Sequence, residues 1–280
     1  GISYNTYYDC RTGSITFGGT IVRDHVRLGI LSFPDVFIHS SNVGSIQIAE
    51  IIGEQNLYHM FRAFKFGEKT GIDLPGEEAG IIHPLEKWRK SSLRVAIGYE
   101  LAATPLQILR AMNVYATGGY LVRPKVGLNS FYSEKDISAA SLKPDESGQP
   151  VISGKTAREL VDLVFEPAVE KGTGSQARLE GYELAGKTGT AQKFDPALRA
   201  YSPSKHVASF VGFVPVDHPL ISMIVVIDEP KGIEQYGGQV AAPVFREIAR
   251  KTLLYYRELP QKVPENMILA RQTNETGVTD

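Results

Sequence analysis

The sequence predicts an α+β fold, in which an antiparallel sheet is covered by helices and lies beside a helical lobe. Apolar residues recur at helical spacing through residues 34–120, and the period then changes to alternation or short apolar runs at 185–193, 205–214 and 221–228. These three stretches follow one another without a helix between them, which favours antiparallel pairing. A last amphipathic stretch at 239–256 is predicted to form a helix that packs on the sheet.

Capping residues, proline and glycine mark where the predicted helices of the first half begin and end. Residues 104–107 read Thr-Pro-Leu-Gln, a capping box with proline at the first helical position. The helix that follows is expected to run to Ala116 and to stop at Gly118-Gly119. Residues 34–65 predict two more helices, one on either side of Gly53.

The middle of the chain is less regular. Thr156 is expected to begin a helix in the same way, with Pro167 bending it and Gly172 ending it. Between Arg123 and Ser153 the apolar periodicity weakens and Ser, Pro and Gly become frequent. This composition indicates an excursion from the main fold that contains short strands. Residues 215–219 are predicted to join the last two strands as a hairpin.

Composition bounds the function without deciding it. The 280 residues allow one large or two small domains, and 42% apolar with 22% charged residues is ordinary for a globular protein. A net charge of −1 without a basic stripe gives no reason to expect nucleic acid. Cys10 is the sole cysteine, which excludes a disulfide within the chain, and the six histidines lack metal-ligand spacing, so no metal or cofactor is predicted. No signal peptide and no apolar run near 18 residues is present.

The most informative run is Lys187-Thr188-Gly189-Thr190, because two unrelated enzyme classes have a Gly-Lys-Thr sequence in their active sites. Residues 181–188 fit the phosphate-loop pattern G-x-x-x-x-G-K-[ST]. Residues 224–229 form an apolar run that ends in two acidic residues, which resembles the strand that supports Mg²⁺ in such enzymes. A phosphate loop, however, needs a buried strand before it and a helix after it, and neither flank has that pattern. The favoured interpretation is a β-strand that holds a carboxylate and an acyl centre, as in penicillin-interacting serine enzymes.

A second motif, Ser40-Ser41-Asn42, supports that interpretation. The triplet alone is weak, since S-x-N is common and is compatible with an ordinary polar turn. Its setting is more informative, because apolar residues at helical spacing precede it from Phe33 and follow it to Ile52. The triplet is therefore expected where two helical segments meet, with its hydroxyl and amide pointing into a cleft.

With both motifs the chain resembles the transpeptidase domain of class B penicillin-binding proteins, most closely the septal cell-division type. Four further segments carry the resemblance, which covers roughly Phe17 to Tyr256: residues 66–77, 97–107, 211–215 and 237–245. The resemblance implies the fold of penicillin-binding transpeptidases and serine β-lactamases, with a five-stranded sheet and an active site at the seam between sheet and helical lobe. It implies one domain over residues 1–260, with a helical lobe at 34–120, a sheet with its C-terminal helix at 183–256, and a flexible tail at 261–280.

The chain departs from the family pattern at the nucleophile. The family places a Ser-x-x-Lys before the S-x-N motif, and the only S-x-x-K in this chain is Ser202 to Lys205, which opens into an alternating stretch and is interpreted as loop into strand. We therefore expect the nucleophile to be absent and the N-terminal part of the domain to be missing. Such a fragment is expected to be inactive alone and to expose a sheet edge or an unfilled core.

The resemblance implies acyl transfer from D-Ala-D-Ala stem peptides of peptidoglycan, with β-lactams as covalent inhibitors. The catalytic residues would be Ser40, Asn42 and Lys187, and the substrate-binding residues Thr188, Gly189 and Thr190. It also implies membrane proteins of cell division and the missing N-terminal segment as partners, and a place in the cell envelope outside the inner membrane, held by an anchor that this chain lacks. Two alternatives stay open at this point, a non-catalytic protein with the same fold that serves binding or assembly, and the nucleotide enzyme.

Overall fold

A computed structural model describes residues 2–127, 148–197 and 199–260 of the chain. The chain divides into two compact units, Gly1–Thr173 and Gly174–Asp280. The predicted tail at 261–280 lies outside the described residues.

The first unit begins with two short antiparallel strand pairs that the sequence analysis did not predict. Strand β1 (Tyr7–Asp9) pairs with β4 (Ile30–Ser32), and β2 (Ser14–Phe17) pairs with β3 (Thr20–Arg23). Gly18 and Gly19 join β2 to β3 with φ angles of 55° and 77°, the conformation that a two-residue hairpin turn requires. Strands of three or four residues are too short to display a period-two pattern, which is why they escaped notice.

Three helices follow where two were predicted in residues 34–65. They are α1 (Phe33–Ile38), α2 (Asn42–Ile52) and α3 (Glu54–Ala63). The two helices on either side of Gly53 are confirmed. This glycine has a positive φ of 79°, which lies outside the helical region and therefore ends α2 before α3 begins. The predicted number was wrong because α1, with six residues, is too short to repeat an apolar period.

The capping-box helix is confirmed as α4 (Pro105–Ala116). The Thr104 hydroxyl accepts a hydrogen bond from the Gln107 amide at 3.2 Å, and the Gln107 side chain accepts one from the Thr104 amide at 2.9 Å. Each side chain thus satisfies a backbone donor that the first helical turn leaves without a partner. Shorter elements lie between α3 and α4: β5 (Ile81–Ile82) paired with β6 (Leu101–Ala102), and 3₁₀ helices at Leu85–Lys87 and Lys90–Ile97.

The helix predicted to start at Thr156 begins earlier. Its N-cap is Ser153, whose hydroxyl accepts from the Thr156 amide at 3.0 Å, so the assignment of Thr156 as the cap was wrong by three residues. Pro167 lacks the N–H that would bond to the carbonyl four residues earlier, and a π-helical turn ends at Phe165, two residues before it. The consecutive segments are α5 (Gly154–Leu160), the π turn (Val161–Phe165) and α6 (Glu166–Glu170).

The predicted excursion between Arg123 and Ser153 is covered only in part. Residues 128–147 lie outside the described residues, and the described parts, 123–127 and 148–153, contain no strand.

The second unit is built on a three-stranded antiparallel sheet, as predicted. Its strands, in the order in which they pair, are β7 (Ala185–Asp195), β8 (Ala200–Val214) and β9 (Ile221–Asp228). Lys187 lies opposite Val211, which in turn lies opposite Ile224. Strand β8 starts five residues before the predicted position, with Ala200 opposite Asp195, and its pairing with β7 is irregular between Gln192 and Phe194.

The predicted C-terminal helix packs on this sheet but is divided in two. Helix α7 (Gly237–Val240) and helix α8 (Ala242–Tyr255) meet at Ala241, where Pro243 occupies the first turn of α8. The fully buried Phe245 of α8 contacts Phe210 of β8 edge to face, with ring centroids 4.8 Å apart. This contact joins helix and sheet in the core of the second unit.

Replacing Phe245 with alanine should destabilise the second unit by about 3–5 kcal/mol, because the change removes a buried ring and leaves a cavity against Phe210. The neighbouring Val244 is 41% exposed, so Val244→Ala serves as the control and should change the free energy of unfolding by less than about 1 kcal/mol. Denaturant unfolding followed by circular dichroism measures both, and equal effects of the two substitutions would contradict this account.

Candidate active site

The run Lys187 to Thr190 lies extended within β7, which is the arrangement the sequence analysis favoured. Strand β7 continues to Asp195, so no helix follows Thr188. A phosphate loop requires such a helix to direct amide groups at phosphate, and the phosphate-loop alternative is therefore excluded. One edge of β7 pairs with β8, and no strand among the described residues pairs with the other edge.

Alternation along β7 separates the four residues into two pairs. Thr188 lies opposite Phe210 and Thr190 opposite Ala208, while Lys187 and Gly189 belong to the other face of the sheet. A ligand that contacts both the ammonium and the hydroxyls must therefore lie at the unpaired edge of the strand, the place from which both faces can be reached.

Burial changes the acidity of the lysine. The Lys187 residue is half-buried, its Nζ atom lies 3.3 Å from the carbonyl oxygen of Thr188, and desolvation lowers its pKa from 10.5 to about 8. At pH 7 about nine-tenths of the molecules still carry the ammonium charge. This cation is poorly solvated, so its attraction for an anion is stronger than that of an exposed lysine.

The hydroxyl of Thr190 is held by the start of helix α7. The Gly237 amide donates to Thr190 Oγ1 at 3.1 Å, so this hydroxyl acts as an acceptor there and retains its proton for another partner. A Cβ atom on Gly237 would come within 2.4 Å of the Gly189 carbonyl oxygen. Sequence reasoning missed Gly237 as part of this site, although the Gly-Gly pair before a helix was visible.

The sequence analysis named Gly189 among the substrate-binding residues. In the structure a Cβ atom at Gly189 would lie 2.5 Å from the hydroxyl oxygen of Ser209 on β8, and the next atom would lie 3.9 Å away. Because that hydroxyl can rotate, the packing demand for glycine at this position is weak.

Ser40 and Asn42 lie in the first unit where α1 and α2 meet, as predicted, with Ser40 in the turn and Asn42 as the first residue of α2. Ser40 adopts a positive φ of 54°, and its amide donates to the Phe37 carbonyl at 3.2 Å. The next residue, Ser41, is the N-cap of α2 and accepts from the Gly44 amide at 3.0 Å. The strained backbone of Ser40 is thus held between the end of one helix and the cap of the next.

Asp24 and Arg23, at the end of β3, fix the turn from the opposite side. The Asp24 carboxylate accepts from the Ser41 hydroxyl at 2.8 Å and from the Val43 amide at 3.0 Å, and we call this pair of bonds the Asp24 clamp. The Asn42 side-chain amide donates to the Arg23 carbonyl at 2.8 Å, which leaves the Asn42 Oδ1 as its acceptor. Sequence reasoning missed Asp24, which is 17 residues from its partner Ser41 and carries no motif.

The only S-x-x-K sequence lies wholly within β8, so its interpretation as loop into strand was wrong for the loop part. Ser202 is 3% exposed, and its hydroxyl accepts from the Lys205 amide at 3.1 Å. The Lys205 ammonium lies 3.9 Å from the Asp195 carboxylate. A nucleophilic serine needs a base at its hydroxyl and access to substrate, and Ser202 has neither arrangement.

The candidate residues thus form two groups, each within one unit. Ser40 and Asn42 belong to Gly1–Thr173, and residues 187–190 belong to Gly174–Asp280. A single groove that they share stays a prediction. Over the described ranges, no three His, Cys, Asp or Glu side chains gather in a way that could hold a metal ion. None of the helices in those ranges combines the length and apolar character needed to cross a membrane.

Replacing Asp24 with asparagine should loosen the turn of Ser40 and Asn42. Two hydrogen bonds to a carboxylate are lost or weakened, so the free energy of unfolding should fall by about 1–3 kcal/mol. The exposed Glu78→Gln variant of the same unit controls for the loss of one negative charge. In a double-mutant cycle with Ser41→Ala, the combined effect should be smaller than the sum by at least about 0.5 kcal/mol, and full additivity would rule out the clamp.

The lowered pKa of Lys187 predicts a pH-dependent stability. Below about pH 8 the amine is protonated in both states and the folded chain carries the full desolvation cost. Between about pH 8 and 10.5 the unfolded chain binds more protons, so wild-type stability should rise relative to Lys187→Met, by no more than about 3 kcal/mol. The difference between the two unfolding free energies, measured across this range, tests the prediction, and an exposed Lys155→Met variant corrects for removing a lysine. A constant difference would contradict it.

The comparisons with known proteins agree with this geometry. Residues 1–250 match the family described as "Penicillin binding protein transpeptidase domain". Stage V sporulation protein D of Bacillus subtilis is 36% identical over 250 residues, which are 89% of this chain and 38% of that protein. Peptidoglycan D,D-transpeptidase FtsI of Buchnera aphidicola is 32% identical over 244 residues, 86% of this chain and 41% of that one. The chain thus spans about two fifths of the length of these curated relatives.

Solved structures give the same result for the fold. The transpeptidase domain of penicillin-binding protein 3 from Burkholderia pseudomallei superposes with a TM-score of 0.81 at 30% identity, over 94% of this chain and 76% of that one. Penicillin-binding protein 3 of Mycobacterium tuberculosis, complexed with ampicillin, gives a TM-score of 0.79 at 29% identity, over 94% of this chain and 60% of that one. The chain belongs to the penicillin-binding protein transpeptidase domain family, among transpeptidase domains of class B.

Proposed function

We propose that this chain is part of a peptidoglycan D,D-transpeptidase that cross-links the cell wall. The observation that carries the proposal is the extended run of Lys187 to Thr190 at an unpaired strand edge, in a chain that matches the transpeptidase family over residues 1–250. One of its relatives bears the name peptidoglycan D,D-transpeptidase.

The reaction is an acyl transfer in two steps. A serine oxygen attacks the carbonyl carbon of the penultimate D-alanine of a stem peptide, the C–N bond breaks, and the terminal D-alanine leaves with a proton on its amine. An amine from a neighbouring stem peptide then attacks the ester, forms the new amide and returns the proton to the serine. β-Lactams acylate the same serine, and a relative has been solved in complex with ampicillin.

Strand β7 binds the substrate in this proposal. The Lys187 ammonium and the hydroxyls of Thr188 and Thr190 reach the terminal carboxylate of the stem peptide from the two faces of the strand, at its unpaired edge. Gly189 lets the extended peptide lie alongside the strand. The backbone N–H of Thr190 serves as one oxyanion donor, a contact worth about 10² to 10³ in rate.

In this proposal Ser40 transfers a proton and Asn42 orients the catalytic lysine. Ser40 relays a proton to the leaving amine, and the Asn42 Oδ1, which the bond to Arg23 leaves as its acceptor, orients the lysine that activates the serine. We infer that this serine and lysine belong to sequence beyond these 280 residues, since the only S-x-x-K is Ser202 to Lys205 within β8.

The setting follows from the family. The relatives include proteins named for sporulation and for peptidoglycan transpeptidation, which supports a cell-envelope location. We propose that the active site faces the outside of the inner membrane, that the role is in septal division, and that division membrane proteins are partners. The transpeptidase domain extends over residues 1–260 in this proposal, with a lobe at 34–120 and the sheet and helix at 183–256.

A non-catalytic protein of the same fold is the second candidate. The placement of the only S-x-x-K within a strand favours it, and it predicts that no extension of the chain by its natural neighbouring sequence restores acylation.

Labelled penicillin tests the assignment. The 280-residue chain alone should not become covalently labelled, whereas the natural polypeptide that includes the preceding Ser-x-x-Lys segment should be labelled one to one. In that longer polypeptide Lys187→Ala should slow acylation by about 10²-fold or more, because the ammonium that attracts the carboxylate is lost.

Ser202→Ala is the matched control and should leave acylation unchanged, since Ser202 is a buried strand residue. Stoichiometric labelling of the isolated chain at Ser202 would defeat the assignment. Labelling of the longer polypeptide that is indifferent to Lys187→Ala would defeat the role of β7.

A further inference from the structure

His206 of β8 holds both ends of the loop that joins β9 to helix α7. Its backbone carbonyl accepts a hydrogen bond from the Glu229 amide at 2.9 Å, at the start of this loop. Its ring nitrogen Nδ1 lies 3.0 Å from the side-chain oxygen Oε1 of Gln235, near the end of the loop. We call this second contact the His206 tether. Residues 230–234 are thus enclosed between two attachments to the same strand residue.

The direction of the His206 tether follows from the other end of the glutamine side chain. Gln235 Nε2 donates to the Gly232 carbonyl at 3.4 Å, so the oxygen Oε1 faces the imidazole. An amide oxygen can only accept, and His206 Nδ1 therefore carries the proton of this bond. Both residues are half-buried, which strengthens a hydrogen bond relative to one in water. The strand thus donates to the loop.

The middle of the loop contributes little packing. Residues 231–234 are all exposed, and Ile233 is 98% exposed. A segment with few buried contacts opens locally at a low cost in free energy. The start of the loop is reinforced by the Glu229 carboxylate, which lies 2.9 Å from the Lys193 ammonium. At the end of the loop, the His206 tether performs the corresponding task.

The end of the loop carries the amide that orients Thr190. Gly237 follows Gln235 by two residues, and its N–H donates to Thr190 Oγ1 at 3.1 Å. By the register of β7 and β8, His206 and Thr190 belong to the same face of the sheet. The His206 tether and the bond to the threonine hydroxyl therefore attach neighbouring residues of the loop to one surface.

We propose that His206 is a positioning residue for the substrate-binding hydroxyl of Thr190. It holds the end of the loop so that the Gly237 amide donates to Oγ1, and the proton of the threonine is then directed to another acceptor. A donor that is oriented beforehand loses less conformational freedom when a ligand binds. This role rests on the proposed function, because the acceptor is the carboxylate of a stem peptide or of a β-lactam.

Amide exchange in the 280-residue chain, followed by NMR, tests the His206 tether without any reaction. In His206→Ala the Gly237 amide should exchange about tenfold faster, because its bond to Thr190 opens more often. In His206→Asn exchange should stay within about threefold of wild type, since the asparagine Nδ2 donates from nearly the place of the imidazole Nδ1. The matched control is His218→Ala, which removes an imidazole and its 2.8 Å contact with Glu258 and should leave this exchange unchanged.

Acylation of the longer natural polypeptide tests the role in substrate binding. Benzylpenicillin has the carboxylate, and its methyl ester does not. His206→Ala should lower the second-order rate constant for benzylpenicillin by about fivefold and that for the ester by less than about twofold. His206→Asn and His218→Ala should react like wild type. In a Thr190→Val background, which lacks the hydroxyl, His206→Ala should cause no further loss with benzylpenicillin.

The outcomes separate this role from the assignment of the reaction. Equal losses for the acid and the ester, or a further loss in the Thr190→Val background, would overturn the positioning role, because a general structural defect affects both compounds. Unchanged Gly237 exchange in His206→Ala would overturn it whether or not the polypeptide is acylated. A wild-type longer polypeptide that no penicillin acylates would contradict the transpeptidase assignment instead, and the exchange rates would still decide whether His206 positions Gly237.

Discussion

Close packing around β7 is the constraint on which the second unit depends. An added Cβ atom would lie 2.4 Å from the Phe210 ring at Gly186, 2.4 Å from the Gly189 carbonyl oxygen at Gly237 and 2.5 Å from the rotatable Ser209 hydroxyl at Gly189. Contacts below 3 Å force a shift of the neighbouring atoms. Helix α7 can therefore begin directly on the sheet, and its first amide reaches Thr190 Oγ1. The position of one candidate site residue is thus set by glycines that perform no chemistry.

The first unit fixes its candidate residues by a different device. Ser40 and Asn42 lie on a turn with strained backbone, and the Asp24 clamp together with the Arg23 carbonyl holds that turn through hydrogen bonds. A carboxylate is suited to this task, because bonds from neutral donors to an ionised acceptor are about twice as strong as neutral ones. The stability of such a turn depends on a charge, whereas the position of Lys187 depends on packing.

Sequence reasoning succeeded where the signal is local and failed where the partner is distant. The capping box of α4 joins residues three apart, and the alternation of β7, β8 and β9 repeats over eight or more residues, so both were visible. The short strands β1 to β4 and helix α1 have no room for a period. Asp24 and Gly237 act on residues 17 and 47 positions away, and only the fold brings them to Ser41 and Thr190.

The register of β7 against β8 decides which face of the sheet carries the lysine. A slip of one residue would move Lys187 to the face of Phe210 and place the hydroxyls of Thr188 and Thr190 on the other side. Gly186 is the position whose missing Cβ admits the Phe210 ring, and Gly189 the one that admits the Ser209 hydroxyl. A strand slipped by one residue would place Lys187 or Ala185, which have a Cβ atom, against the fully buried Phe210 ring, where glycine is needed. Gly186 therefore disfavours the alternative register by steric overlap, and the lysine and the hydroxyls keep the opposite faces from which both can reach a carboxylate at the strand edge.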